Sequence, residues 1–362
     1  MNNFSKFFSG KKIFLTGHTG FKGSWASIAL KNLGAKIYGF ALPPENFRGS
    51  MFESLKISET LDFSEFGDIR DSQKLKKSIQ KFEPEIILHL AAQPIVLRSY
   101  KNPVNNFETN LMGLINLFEA CRETSSVQTI LNVTSDKCYE NNEEKRDFIE
   151  SDKLGGKDPY SASKACAEII SNSYRESFFN KKNIELATAR AGNVIGGGDF
   201  SENRLVPDIF EAITKNQEIS IRNPRAIRPW QHVLESINGY LTLIYKISQE
   251  PKKYNQAYNF GPDKEEEKID VENLTKIFLE NFNSENKISY KIEADENALY
   301  EAKFLGLDNS KAKNELGWKP KLKPYEAIKL TAEWYNFYLK NSDNPKNLRD
   351  FTDKQIIENI IS

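Results

Sequence analysis

Histidine and cysteine are scarce in this chain, with three of each in 362 residues. So few histidines argue against a multi-histidine metal centre, and Cys121, Cys138 and Cys166 lack metal-ligand spacing. Sparse cysteine also points to a reducing compartment. An excess of either charge is missing: 50 Lys and Arg balance 50 Asp and Glu, spread rather than blocked. A nucleic-acid or membrane-surface partner is therefore not indicated. No apolar run is long enough to span a bilayer. The amino-terminal MNNFSKFFSGKK has no signal-peptide apolar core. Internal repeats and low-complexity linkers are absent as well. The expectation is a soluble, cytoplasmic protein that needs no metal, nucleic acid or membrane.

What is present is a globular chain, 39% hydrophobic and rich in aromatics. Short apolar strands are predicted at 12–16, 36–40, 85–90, 129–134 and 184–189, with another just before Asp68. Helices are predicted from the first glycine turn to Leu30, over 107–122 and over 160–179. Strands alternating with helices at this spacing predict an α/β fold, a Rossmann-like doubly wound parallel sheet with right-handed crossovers. After Asn193 the pattern breaks. A Gly196-Gly197-Gly198-Asp199 loop, helices over 207–215 and 232–247, and short strands at 218–222, 257–260 and 287–293 follow. Further helices are predicted over 271–282, near 310–316 and over 325–339. Residues 1–193 plus about 232–262 are read as a dinucleotide-binding domain. Residues 194–231 plus about 263–341 are read as a smaller α/β substrate-binding lobe, and 342–362 as a loosely held charged tail.

Gly17, Gly20 and Gly23 lie three apart, directly after a strand and opening a helix. This is the spacing of a dinucleotide-phosphate turn. Gly17 permits the tight bend, Gly20 lets a pyrophosphate approach the helix amino terminus, and Gly23 permits close helix–sheet packing. Thr19 and Phe21 belong to the same turn. His18 and Lys22 are either charge contributors at the phosphates or solvated turn residues. An acidic ribose partner is expected at the end of the second strand, but Phe40-Ala41-Leu42 supplies none. Asp68, followed by Ile69, either meets an adenine amino group or is an exposed turn residue. Leu90-Ala91-Ala92-Gln93 ends the fourth strand with small residues that allow cofactor contact.

Tyr160 and Lys164 are four apart at the start of a helix, so they share a face. A Lys ammonium there lowers a Tyr pKa from its usual ~10 toward the neutral range. Pro159 and Asp158 are a first-turn residue and a cap, so the pair alone could be only a well-started helix. With the glycine turn and the strand-end Ser135, it reads as an alcohol-oxidising set. Ser135 holds the substrate hydroxyl, Tyr160 takes its proton, and Lys164 holds the nicotinamide ribose. Asn110 binds substrate, positions this group or caps a helix. Asp136 and Lys137 are an acid and a base beyond what oxidation needs, or else a solvated strand-end ion pair.

Arg190, Asn193, Arg204, Arg222, Asn223 and Arg228 supply cations and amides around the second lobe. Planar guanidinium groups suit a diphosphate, so a nucleotide-activated substrate is indicated, with lobe–lobe salt bridges as the alternative for the arginines. Tyr300 and Glu301 are placed to close the pocket. His232 is read as a helix cap.

Taken together, TGHTGFKGSW, HLAAQPIVLRSY, NVTSDKCYEN, DPYSASKACAE, ARAGNVIGGGDF, IRNPRAIRPWQHV and LGWKP resemble the CDP-glucose 4,6-dehydratases, within the extended short-chain dehydrogenase/reductase family. The resemblance runs from about Lys11 to Tyr338. TSDKCYEN, with Lys137 where many sugar-nucleotide dehydratases carry Glu, and AGNVIGGGDF are its more specific parts. The resemblance implies bound NAD, oxidation at sugar carbon 4 by Ser135, Tyr160 and Lys164, and elimination across carbons 5 and 6 with Lys137 as base and Asp136 as acid. It also implies return of hydride to carbon 6, a product feeding deoxysugar and surface-polysaccharide synthesis such as lipopolysaccharide, and a homodimer or dimer-based tetramer. A sugar-nucleotide 4-epimerase shares the oxidation set but needs no acid to eject a 6-hydroxyl. A non-catalytic dinucleotide sensor would not need Ser135, Tyr160 and Lys164 together.

Overall fold

Strands whose two faces are both covered carry unbroken apolar sequence, and here they build the centre of the molecule. The computed structural model describes residues 3–45, 48–266, 268–283, 289–293 and 302–361. Among the described residues seven parallel strands form the main sheet: β1 (Lys12–Thr16), β2 (Lys36–Ala41), β3 (Phe63–Phe66), β4 (Ile86–His89), β5 (Thr129–Val133), β6 (Glu185–Ala191) and β10 (Ala257–Phe260). Their order is β10-β6-β5-β4-β1-β2-β3. The register is regular, with Thr16 opposite both Phe40 and His89, and His89 opposite Asn132. Every residue of β4, β5 and β6 is buried.

Helices cover both faces. The Phe21–Asn32, Val233–Gln249 and Pro324–Asn341 helices contribute to one apolar cluster, and Ser72–Phe82, Gly113–Arg122 and Pro159–Tyr174 to the other. The expected 107–122 and 160–179 helices both contain one wider turn, at Glu108–Met112 and Arg175–Phe179. Outside the sheet, β7 (Val194–Ile195) pairs with β9 (Gln231–His232), and β8 (Ile219–Ile221) with β11 (Tyr290–Ile292). β10 returns to the main sheet beside β6. Strand order reverses between β1 and β4, and the cleft opens at their carboxyl ends. Among the described residues no helix is long and apolar enough to cross a membrane.

The carboxyl-terminal end differs from expectation. The carboxyl-terminal stretch is not a loose tail: Pro345–Ile356 is a helix capped by Asn344, with Leu348, Thr352 and Ile356 fully or nearly fully buried. Their i, i+4, i+8 spacing makes an apolar stripe inside a charged sequence. Trp334 Nε1 donates to Thr352 Oγ1 at 3.0 Å, and Asn32 Nδ2 to Asp353 Oδ1 at 2.8 Å. At the other end Asn3–Phe8 is helical and buries Phe8, while Phe4 and Phe7 pack edge-on against Tyr245.

Candidate active site

The glycine turn begins where β1 ends. Gly17 has φ +78, and a Cβ there would lie 2.8 Å from the Ala91 nitrogen. A Cβ at Gly23 would lie 2.0 Å from the Gly17 oxygen, so the helix meets the turn with no room for a side chain. Gly20 is different: the nearest atom to its Cβ position is 3.5 Å away. It caps the Phe21–Asn32 helix without a side-chain cap. The first N–H groups of that helix therefore have no intrahelical partner and favour an anion. Thr16 Oγ1 accepts from the Leu90 and Ala91 N–H groups, at 3.1 Å each, and bonds His89 Nδ1 at 2.7 Å. With both lone pairs used, the Thr16 hydroxyl proton is directed at His89 Nδ1. These bonds tie β1 to β4 at the floor of a cleft of about 810 Å³.

The candidate reacting groups converge from the end of β5 and the Pro159–Tyr174 helix. Ser135 Oγ accepts from the Lys137 N–H at 3.2 Å and donates to Asp136 Oδ1 at 2.9 Å. Asp136 is buried, and its Oδ2 has no protein partner. Burial pushes its pKa up, against the opposing fields of Lys137, Arg228 and Lys22. Asp158 accepts from the Ser161 N–H at 2.9 Å, which starts the helix and sets Tyr160 in its first turn. Lys164 Nζ lies 6.0 Å from the Tyr160 ring centre and donates to the Val133 carbonyl at 3.4 Å.

The electrostatics overturn one expectation: the Tyr160 pKa is raised, not lowered. Burial raises the Tyr160 pKa to about 12, and the groups opposing that rise are the Ser135 hydrogen bond and Arg204. Lys164 itself is lowered to about 8 by burial, with Glu168 and Cys138 acting the other way. Lys22 is buried beside them and lowered to about 7, first by burial, then by Arg204 and Lys164; its Nζ donates to the Tyr240 hydroxyl at 3.3 Å. Thus the cleft holds Lys22, Lys164 and Arg204 around Asp136 and Tyr160. Such a site combines a phenol, a carboxyl inclined to keep its proton, and an amine, beside an anion-binding helix end.

A profile of GDP-mannose 4,6 dehydratase matches residues 14–331. The chain is 42% identical over 342 residues to a CDP-glucose 4,6-dehydratase of Salmonella typhimurium, covering 93% of this chain and 94% of that one. The chain belongs to the GDP-mannose 4,6-dehydratase family. A UDP-glucose 4-epimerase of Pisum sativum is 25% identical over 356 residues, covering 90% of this chain and 96% of its own. Among solved structures, dTDP-glucose 4,6-dehydratase of Streptomyces venezuelae, with NAD bound, aligns with a TM-score of 0.76 at 20% identity, over 93% and 99% of the two chains. A UDP-glucose 4-epimerase of Thermotoga maritima aligns at 0.73 with 22% identity, over 91% and 99%. These two show the shared fold.

Within this family fold, most expected residues line the cleft. Thr19, Phe21, Lys22, Asp68, Ile69, Ala92 and Gln93 do so, as do Asn193, Arg204, Arg222, Asn223 and Arg228. Asp68 is held by Arg70, whose Nη2 lies 2.6 Å away. Where the acidic ribose partner was missing, the cleft wall is Ala41 and Leu42. Arg204 pairs with Asp199 at 2.9 Å, and Arg228 is buried, donating to the Ile227 carbonyl. His232 caps its helix, its Nδ1 accepting from the Leu234 N–H.

Three placements are corrected. His18 is not at the phosphates: it is fully buried, bonded to Ser64 at 2.9 Å, and lowered by burial to about 4, so it is neutral. Gly39 makes room for it, since a Cβ there would lie 2.5 Å from the ring. Arg190 does not line the cleft; it is buried against Glu168 at 2.8 Å. Asn110 is buried too, accepting from the Gln93 N–H at 2.8 Å and donating to Ser163 Oγ at 2.9 Å, so it ties the β4 loop to the Tyr160 helix. Tyr300 and Glu301 lie outside the described residues. Sequence reasoning missed Asp199, which sets Arg204, although an Asp after three glycines was a visible signal. It also missed Arg98, which bonds Glu45 and Glu202 across the cleft mouth at 2.6 Å each.

Proposed function

We propose that this chain catalyses the NAD-dependent dehydration of CDP-glucose to CDP-4-keto-6-deoxyglucose, as a hydro-lyase. The observation that carries the reading is Asp136, a buried carboxyl with one unpartnered oxygen, next to Ser135 and Lys137. Oxidation and reduction at carbon 4, as in an epimerase, leave such a group without work. The named activity of the Salmonella relative supports the nucleotide and sugar.

The cleft fits the cofactor. Gly17, Gly20 and the first turn of the Phe21–Asn32 helix would hold the pyrophosphate, Asp68 and Ile69 the adenosine end, and Tyr160 and Lys164 the nicotinamide ribose. When bound, NAD supplies the acceptor for hydride from carbon 4 and the donor that returns it to carbon 6. Ser135 hydrogen-bonds the 4-hydroxyl, and Tyr160 takes its proton as the ketone forms. The ketone acidifies the carbon 5 proton, which Lys137 removes. Asp136 gives its proton to the 6-hydroxyl as the C6–O bond breaks, so water leaves. A proton then returns to carbon 5 while carbon 6 receives hydride. Asn193, Arg204, Arg222, Asn223 and Arg228 hold the nucleotide diphosphate.

The setting of this reaction is the cytoplasm, consistent with three free cysteines. Its product feeds deoxysugar and surface-polysaccharide synthesis. A homodimer is supported by Val104, Met112 and Ile169, which leave 50–65% of their surface exposed on helices of the nucleotide-binding face. A monomer in sedimentation at micromolar concentration would remove that part.

Incubation with CDP-, UDP- and dTDP-glucose tests the function. CDP-glucose is expected to give a 4-keto product absorbing in strong alkali; unchanged CDP-glucose, or CDP-galactose alone, would overturn the reading. Lys137→Met is expected to oxidise carbon 4 and stop before elimination, with reduced cofactor accumulating on the enzyme.

A further inference from the structure

Behind the reacting groups lies a second buried carboxylate that the mechanism does not use. Glu168 sits one turn beyond Lys164 on the Pro159–Tyr174 helix. Its Oε1 accepts from the Thr134 hydroxyl, the residue before Ser135. Its Oε2 accepts from Thr188 Oγ1 at 2.8 Å and from Arg190 Nη2 at 2.8 Å. Arg190 in turn donates to the Tyr139 hydroxyl at 2.8 Å and the Glu150 carbonyl at 3.0 Å. One side chain therefore joins the helix that carries Tyr160 and Lys164 to the end of β5 that carries Ser135, and both to β6.

Resting on the dehydratase reading for its catalytic meaning, we propose that Glu168 is a positioning residue: it fixes Tyr160 and Lys164 against Ser135 and supplies the negative charge that keeps Lys164 an ammonium. The groups around Lys164 are few. Tyr160 and Glu168 share its helix, Cys138 follows β5, His89 ends β4, and Lys22 faces it from the glycine-turn helix. His89 is lowered by burial to about 3 and is neutral, and burial pushes the Cys138 thiol well up. Lys22 adds repulsion, and Asp136 faces Lys22 and Tyr160. Among the described residues Glu168 is the fixed anion in this shell. Its charge opposes the burial that drives Lys164 down to about 8.

The test is the Lys164 titration in Glu168→Gln and in Glu168→Gln/Arg190→Gln, the second removing both buried charges so that no orphan is left to unfold the protein. Trace acetylation across pH, read by peptide mass spectrometry, reports the Lys164 ammonium without needing turnover. The midpoint is expected to fall by about one pH unit in both variants, and Glu168→Asp to restore most of it. The alkaline limb of CDP-glucose turnover should move with it. A merely structural role would lower activity or stability and leave the midpoint in place; an unmoved midpoint in the double variant overturns the proposal. Failure of the wild type to turn over CDP-glucose, with the midpoint shift present, would instead remove the substrate reading.

Discussion

The two sides of β5 bury carboxylates to opposite ends. On the open side, Asp136 bonds Ser135 through one oxygen, and the other has no partner, so burial raises its pKa. On the closed side, Glu168 accepts three hydrogen bonds, one from a guanidinium, and its pKa is lowered although it too is buried. Burial alone favours the neutral acid, and complete hydrogen bonding with an opposite charge reverses it. The incomplete shell favours the neutral acid; the complete one favours the charged form.

Substitutions on the two sides should therefore fail differently. Tyr160→Phe, on the open side, is expected to lose about 10³- to 10⁴-fold in turnover through the missing proton transfer, with an unchanged thermal midpoint. Reduction of bound cofactor in a single turnover at the wild-type rate would remove Tyr160 from that role. Arg190→Met, on the closed side, leaves the Glu168 charge unpaired and should cost about 3–5 kcal/mol of stability in urea unfolding. A loss below about 1 kcal/mol would mean that the pair is not the anchor described.

The pH dependence sharpens the contrast. Lys164 is lowered to about 8, so its ammonium is intact below that pH and is lost as pH rises through it. Turnover should fall about tenfold per pH unit above about 8, well below the ~10.4 of a free lysine. A profile flat to pH 10 would exclude Lys164 as the limiting group. The smallest effect is on folding in Asp136→Asn. Because the raised carboxyl is uncomfortable when charged, the amide should leave stability unchanged or raise it by about 1 kcal/mol, while dehydration stops. A clear drop in unfolding midpoint would show that Asp136 is structural.

Much of the site was readable because its parts are local. Gly17, Gly20 and Gly23 announce a turn whose geometry needs them, and Tyr160 and Lys164 announce a shared helix face by spacing alone. Arg190 was not readable. β6 is buried on both faces, so its sequence ELATARA carries no polar alternation to say which way Arg190 points. Asn110, inside the 107–122 helix, was read as a substrate-binding residue, yet its amide is consumed by Gln93 and Ser163. The Pro345–Ile356 helix hid inside a charged composition, although Asn344-Pro345 is a cap and first-turn pair, and Leu348, Thr352 and Ile356 keep a helical period.

By itself the sequence determined the doubly wound sheet, the glycine turn and the helix face that Tyr160 and Lys164 share, because these depend on neighbours within one turn or strand. Only the tertiary structure decided which charges face the cleft and which lie behind it. It set His18 under β2, Arg190 against Glu168 and Lys22 beside Asp136. The physical reason is that burial and pairing, which fix whether such a group is neutral or charged, come from elements that meet only when the chain is folded.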